Sequence, residues 1–494
     1  VIREPNEADT DYILKRSKKM REKVDVTIIG AGSAGLTALR QVQEYTDNYI
    51  IVDHGPLGTK CARIGCMPSK ALISVAKDYH RRSVFDSEGI RGANQLSVDI
   101  PAVMHHVRSL RDHFASEMVT ATKRRAGEHL IVGRAVIIAP NRLRAGDIEI
   151  ETDSIIIAAG ARPKVPDAWK SFGDRILTSD NIFEQQDLPR RIAVIGQGPI
   201  GLEFGQSLSR LGLEIAGFDM TNSIGRITDP EINSECLRIL RREFPIHLGA
   251  VVEIQEQNQG LLVKQADIEI TVDAVIVAAG VDHDLRGLGI ENLGIALDER
   301  GMPPFNAGTM QISDLPVFIA GDINGCRPIL HEALDEGFIA GRNSSSNKAE
   351  CYCRRIPLTI VFSDPEVALV GWTHEQLRKN KRTFLIGRAD FSQQSRAKLE
   401  MLNQGLLHIY VDSETARILG AELICPGGEH LAHQLALAAQ HKLNIFEVLQ
   451  MPFYHPTIEE GLRTALQDAA KQLSDKHKSP ALSLCNNCPE QPLC

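Results

Sequence analysis

The sequence predicts an α/β protein: two doubly wound dinucleotide-binding units in tandem, followed by a smaller α+β domain. Three observations carry the prediction. A strand, glycine turn, helix, strand pattern opens at Val24. It returns at Arg191 with the same 23-residue interval from first glycine to closing acid, Gly30 to Asp53 and Gly196 to Asp219. From Ile356 the texture changes to short strands and then helices. A chain of 494 residues has room for about three domains with real cores.

Residues 1–23 are polar, with Glu4, Glu7, Asp9 and Asp11 among the lysines and arginines. They lack the apolar stretch of a secretion signal and carry too many acids for a transit peptide, so they read as a loosely docked or disordered extension. The first unit then runs from strand Val24–Ile29 into Gly30-Ala-Gly32-Ser-Ala-Gly35, a helix over Leu36–Tyr45, and strand Tyr49–Asp53. The first glycine permits the tight turn, the second lets a pyrophosphate approach the backbone, and the third lets helix pack on strand. Free N–H groups at the helix start suit phosphates, and Asp53 stands where a carboxylate would bind a ribose hydroxyl.

Directly after this unit comes Cys61-Ala-Arg-Ile-Gly-Cys66-Met-Pro-Ser-Lys70. In an ideal helix a five-residue separation puts Cα atoms roughly 8.6 Å apart. A disulfide tolerates only about 7 Å, so bonding these thiols requires a distorted turn, which Gly65 permits. A strained, partly exposed disulfide is reducible and suits catalysis. Two small buried cysteines near a helix start is the other reading.

The second unit repeats the logic with Gly196-Gln-Gly198-Pro-Ile-Gly201 and Asp219. Both units close on a buried strand with a small-residue tail, Ile155-Ile-Ile-Ala-Ala159-Gly160 and Val275-Ile-Val-Ala-Ala-Gly280. Two such units imply two dinucleotides, one a resident electron carrier and one a diffusible nicotinamide. Asp219 would accept the 2′-hydroxyl of NAD and repel the 2′-phosphate of NADP, and no basic residue follows until Arg226. A strand Pro316–Ala320 ends in Gly321-Asp322, a carboxylate at the mouth of a parallel sheet, and a helix opens near His331.

The last third reads as an antiparallel sheet (Ile356–Phe362, Thr383–Phe391, Leu406–Val411, Ile418–Ile424) with helices Glu429–His441 and Thr457–Leu473 on one face. Within it Thr457-x-x-Glu460 reads as a capping box, with Pro456 holding His455 extended. His455 beside Glu460 also suits a general base. Net charge is −8 with no basic block, so nucleic acid is not an expected partner, and no apolar run reaches the length of a membrane helix. Ten cysteines in so long a chain suit a reducing, cytoplasmic setting. Cys236, Cys326, Cys351, Cys353 and Cys425 read as structural. The tail Cys485-Asn-Asn-Cys488…Cys494 reads as idle thiols, a redox arm, or a zinc site completed by His477.

Taken together, the Cys61–Lys70 segment, both glycine turns, Ala320-Gly321-Asp322, Phe362-Ser-Asp-Pro-Glu366 and His455-Pro-Thr-x-x-Glu460 resemble the pyridine nucleotide–disulfide oxidoreductases of the glutathione reductase and dihydrolipoamide dehydrogenase class. The resemblance runs from Val24 to about Leu473 and implies FAD on the first unit and NAD on the second. It places the FAD pyrophosphate over Gly30, Gly32 and Gly35, Asp53 on the adenosine ribose, Asp322 on the ribityl chain, and Lys70 near flavin N5, paired with Glu203. Ala135, Ala159, Gly160, His331 and Ala333 would complete the FAD site; Gly196, Gly198, Gly201, Asp219 and Gly280 would hold NAD. Cys61 would exchange with substrate and Cys66 would lie against the flavin as a charge-transfer thiolate. His455 from the partner subunit of a homodimer would act as base, oriented by Glu460, so each active site would be shared.

The implied layout is FAD-binding over 24–165 and 301–352, NAD-binding over 166–300, a dimerisation domain over 353–473, and a tail over 474–494. Met67-Pro68-Ser69-Lys70, Asp219 and the run after Glu460 look most like dihydrolipoamide dehydrogenase, whose partner is dihydrolipoamide or the lipoyl domain of a 2-oxo acid dehydrogenase complex. The alternative is an NAD(P)H-dependent reductase of another disulfide or a metal ion. Val281 and His283 depart from the family's Arg and Pro. Lys60 replaces a threonine and should favour the Cys61 thiolate.

Overall fold

The computed structural model describes residues 21–283, 285–346 and 348–473. The expectations for residues 1–20 and for Cys485, Cys488 and Cys494 lie outside these. The first strand opens earlier than its apolar run: β1 is Arg21–Ile29, and Arg21–Lys23 pair in parallel with Glu149–Glu151. The expected extension therefore gives up its last three residues to a sheet. Backbone pairing needs no apolar side chain, which is why periodicity misses them.

The first sheet is built from β1, β2 (Tyr49–Asp53), β3 (Leu130–Val132), β4 (Ala135–Ala139), β5 (Arg142–Ala145) and β6 (Ile148–Ile157), in the order β3-β2-β1-β6-β5-β4. β1, β2, β3 and β6 are parallel, while β4–β6 form an antiparallel meander. β2 and the last residues of β1 and β6 are buried on both faces, as βαβ packing requires, whereas the edge strand β3 leaves Val132 exposed. Ile155 and Ile157 enter one core and Ile156 the other. Helix α1 (Ser33–Val42) follows the first glycine turn. Two helices, α2 (Lys60–Arg63) and α3 (Cys66–His80), carry the cysteines, and α4 (Ile100–Ala126) runs beside them.

The second sheet is all parallel, in the order β10-β9-β8-β11-β7, with β7 (Ile176–Leu177), β8 (Arg191–Ile195), β9 (Glu214–Asp219), β10 (Ile246–Leu248) and β11 (Ala274–Val277). Helix α5 (Pro199–Arg210) follows its glycine turn. A separate antiparallel meander over Glu253–Gln257, Gly260–Gln265 and Ile268–Val272 has no counterpart in the sequence-based expectation. The chain then returns to the first sheet, where β12 (Val317–Ile319) pairs in parallel with β6, and α6 (Leu330–Ser344) packs on α1.

The last sheet is antiparallel, in the order β13-β14-β17-β16-β15: β13 (Leu358–Val361), β14 (Glu366–Gly371), β15 (Phe384–Asp390), β16 (Leu406–Asp412) and β17 (Ile418–Cys425). Helices α7 (Gly428–Gln440) and α8 (Glu460–Gln472) cover one face. The other face is not open, contrary to the one-sided expectation. Side chains alternate along a strand. Leu407, Ile409 and Val411 face the helices, while His408 and Tyr410 reach across to Asp229 of the second unit at 2.8 and 3.0 Å. No described helix is long and apolar enough to cross a membrane.

Candidate active site

The two glycine turns are built alike, contact for contact. Gly30 (φ +106°) and Gly196 (φ +95°) have positive φ, and a Cβ on either would lie 2.3 or 2.4 Å from the carbonyl of Ala158 or Ala278. A Cβ on Gly35 or Gly201 would lie 1.9 or 1.7 Å from the carbonyl of Gly30 or Gly196. Gly32 and Gly198 cap α1 and α5 and face open space. Asp53 accepts the Ala31 N–H and Asp219 the Gln197 N–H, both at 2.6 Å. The acids therefore brace the turns as well as standing beside them. Asp53 also accepts Gly55 N–H, and Asp219 accepts the Thr221 N–H and hydroxyl. A carboxylate offers about four acceptor sites, which leaves capacity for ribose hydroxyls.

Around the first turn the structure gathers most of the remaining expected residues. Ala159 and Gly160 follow β6 past Gly30. Gly133 donates to the Asp53 carbonyl, which brings the start of β4 at Ala135 to the end of β2. Gly321 lies against Ala34 and Ala333, and Asp322 follows it, its carboxyl raised by burial against the pull of Lys60 and His283. His331 opens α6, and its Nε2 is buried with no partner among the described residues. Gly280 (φ +100°) ends the strand beside the second turn.

The cysteine segment breaks where the geometry demanded. Gly65 (φ −118°, ψ −113°) separates α2 from α3, and Cys66 begins α3. Both residues are free thiols. The Cys61 thiol donates to Cys66 and, with the Lys70 ammonium, holds Cys66 down to about 7 against burial. Cys61 is pushed up by the same bond, by burial and by Cys66. Lys60 does not act as expected. Its Nζ donates to the Ala161 carbonyl at 2.6 Å and sits 3.8 Å from Asp180, and the cation acting on the thiol pair is Lys70. Lys70 Nζ lies 2.9 Å from both Glu203 oxygens, and Glu203 also accepts the Phe362 N–H at 3.1 Å. One buried carboxylate on α5 thus joins α3, the second unit and the entry to the last sheet.

His455 Nδ1 meets Glu460 Oε2 at 2.9 Å, leaving Nε2 free on a side chain 70% exposed. Glu460 is its one bonding partner among the described residues. The capping box is only half made: Glu460 reaches back to Thr457 N–H at 3.4 Å, but the Thr457 hydroxyl donates to the Tyr454 carbonyl and α8 starts at Glu460. The carboxylate expected to cap is occupied by the imidazole.

Residues 24–337 match the pyridine nucleotide-disulphide oxidoreductase domain, and 357–466 match its dimerisation domain. The chain belongs to the pyridine nucleotide-disulphide oxidoreductases. Among curated relatives, dihydrolipoyl dehydrogenase 3 of Pseudomonas aeruginosa is 30% identical over 473 residues, covering 91% of this chain and 98% of its own. The human mitochondrial dihydrolipoyl dehydrogenase is 28% identical over 470 residues, with 89% of each chain covered. Two solved structures share the fold. LpdA from Mycobacterium tuberculosis matches at a TM-score of 0.78 (20% identical, 91% of this chain and 100% of its own covered). A Cu(II) complex of the HOCl-induced flavoprotein disulfide reductase RclA from Escherichia coli matches at 0.77 (22% identical, 92% and 100% covered).

The oxidoreductase's cofactors are FAD and NAD(H), and its residues fit them. The cradles at Gly32 and Gly198 are open where a Cβ would intrude on a pyrophosphate, and the orphaned His331 Nε2 awaits a polar partner. The dimerisation-domain match supports a homodimer.

Several positioning residues gave no sequence signal. Glu336, buried, accepts Gly321 N–H, Asn324 Nδ2 and Arg354 Nη2 at 2.7, 2.7 and 2.9 Å, and so fixes the turn that carries Asp322. Arg210 joins Glu243 and Asp364 at 2.6 and 2.7 Å, docking the Phe362–Glu366 motif on α5. Such pairs join residues distant in sequence, so spacing cannot reveal them. Of the cysteines expected to be structural, Cys236 and Cys425 are buried, whereas Cys326, Cys351 and Cys353 are exposed.

Proposed function

We propose that the protein oxidises dihydrolipoamide with NAD⁺, giving lipoamide and NADH, through a Cys61–Cys66 dithiol–disulfide couple. The observation that carries this reading is the placement of the cysteine pair across the Gly65 break, with Lys70 one turn beyond Cys66 on α3 and held by Glu203 at 2.9 Å. In thiol–disulfide exchange the sulfur of lower pKa leaves faster, so attack on Cys61 expels Cys66 as thiolate. Lys70 steadies that charge, and Glu203 keeps Lys70 in place.

His455, held by Glu460, takes a proton from one substrate thiol, and the thiolate attacks Cys61 Sγ as the Cys61–Cys66 bond breaks. The second substrate thiol releases its proton to solvent, and its sulfur attacks the substrate sulfur of the mixed disulfide. Cys61 leaves and is protonated by His455. Two electrons have passed from substrate to the cysteine pair. A bound FAD, held at the first glycine turn with Asp53 and Asp322, would supply the carrier through which that electron pair reaches NAD⁺ as hydride. The exposure of His455 in its own chain favours service to the partner subunit's site. Asp219 supports NAD as the nicotinamide, with His331, Asp322, Asp53 and the first glycine turn on FAD. The names of the relatives favour a lipoyl substrate, free or carried on the lipoyl domain of a 2-oxo acid dehydrogenase complex.

A steady-state assay with dihydrolipoamide and NAD⁺ tests the reading. Turnover far above a Cys61→Ser control is expected. Turnover equal to that control, or faster reduction of oxidised glutathione by NADPH, would overturn it.

A further inference from the structure

At the far end of the last sheet lies a cleft of about 360 Å³ that plays no part in the redox chemistry. β14 runs toward it from Glu366, whose carboxylate is 3.7 Å from Lys77 on α3, to Gly371. Five residues of strand carry the chain roughly 17 Å from the redox helix.

The walls are fixed by backbone bonds. Gly371 N–H donates to the Pro357 carbonyl, Trp372 N–H to Leu419, and Ile418 N–H to Leu443, at 2.8, 3.1 and 3.1 Å. Ile356, Pro357 and Leu419 give an apolar side, and Trp372 beside them is 41% exposed. Arg382, Arg417 and Lys442 also line it, against one acid, Asp412.

That acid is already engaged. Its Oδ1 accepts Thr415 N–H, the Thr415 hydroxyl and Glu414 N–H, and its Oδ2 is 3.9 Å from Arg382. Neither Arg417 nor Lys442 makes a side-chain hydrogen bond or ion pair among the described residues. Two uncompensated cations beside an exposed indole, on a chain of net charge −8, single this cleft out. Its volume falls within the range of small-ligand pockets, and its mix of apolar wall and few placed charges is theirs also.

We propose that the cleft binds a small aromatic carboxylate, its ring against Trp372 and the Ile356–Pro357 wall and its charge between Arg417 and Lys442. Stacking an aromatic body on indole favours any planar ligand; the two cations select the anion.

The probe is 2-naphthoate, with neutral 2-naphthamide as its isostere, added to the holoenzyme. The chain has two tryptophans, so Trp169→Phe leaves Trp372 as the only indole reporter. Saturable quenching by naphthoate is expected, at least tenfold tighter than by naphthamide. The Arg417→Ala/Lys442→Ala variant should bring the two ligands within twofold of each other. Lys442→Ala alone should lose part of the preference, and serves if the double variant does not hold FAD. Equal affinity for acid and amide, a preference untouched by either variant, or no saturable quenching would overturn the proposal.

Discussion

Replacing Lys70 by Met probes the electrostatics of the redox pair directly. Cys66 and Lys70 stand four residues apart on α3, which places their Cβ atoms about 6 Å apart. A unit charge at that distance, with an effective dielectric near 20, is worth about 2.8 kcal/mol, or about two pKa units. The Lys70 side chain is 35% exposed, and solvent screening cuts this to about one unit. Lys70→Met also leaves the Glu203 charge without its cation, and Glu203 already pushes Cys66 upward. Both effects have the same sign. The Cys66 midpoint should therefore rise from about 7 to about 8. At pH 7 the thiolate fraction should fall from about half to about a tenth. The assay is iodoacetamide labelling of the phosphine-reduced enzyme across pH, with Cys66 read by peptide mass mapping. Glu203→Gln should move the midpoint the other way. An unmoved midpoint in Lys70→Met, or an upward shift in Glu203→Gln, would refute the reasoning.

Three other outcomes are expected. Glu460→Ala should lower dihydrolipoamide turnover about tenfold or more, up to the full 10²–10⁴-fold that a positioned base supplies, while NADH-driven reduction of an artificial dye is unchanged. Gly201→Ala, whose Cβ would meet the Gly196 carbonyl at 1.7 Å, should yield a yellow protein that NADH no longer reduces. Gly35→Ala should instead purify without FAD. Arg354→Met leaves the buried Glu336 without a cation, while Glu332 keeps Arg327 at 3.0 Å, and should cost about 3–5 kcal/mol of stability. Burial already raises the Glu336 pKa, so the folded state takes up protons more readily than the unfolded chain. Without Arg354 that rise grows, and the loss in thermal melts should be larger at pH 8 than at pH 5.5.

What could be read from the sequence was local or periodic. The tandem glycine turns, with equal intervals to Asp53 and Asp219, carry their geometry in residue type, because only glycine tolerates contacts of about 2 Å at those positions. The break at Gly65 followed from the reach of a disulfide. The strands of the last sheet and the helices on one of its faces were legible, but the burial of His408 and Tyr410 against Asp229 on the other face joins segments far apart in sequence. Lys60 misled because adjacency in sequence is not adjacency of charge: its ammonium turns to Ala161, while Lys70, four residues beyond Cys66, faces the thiols. Thr457-x-x-Glu460 matched a capping pattern whose carboxylate has a second claimant in His455. Glu336 with Arg354, and Arg210 with Asp364, are pairings between distant segments, invisible until the chain is folded.

The account turns on an electron pair passing between the Cys61–Cys66 couple and the flavin. Anaerobic titration of the purified yellow protein with dihydrolipoamide tests this most directly. After two electrons, wild-type protein should show a new long-wavelength absorbance from the Cys66 thiolate beside the oxidised ring, and Cys66→Ser should not. Flavin bleaching with no such band in the wild type, or an identical band in Cys66→Ser, would contradict it.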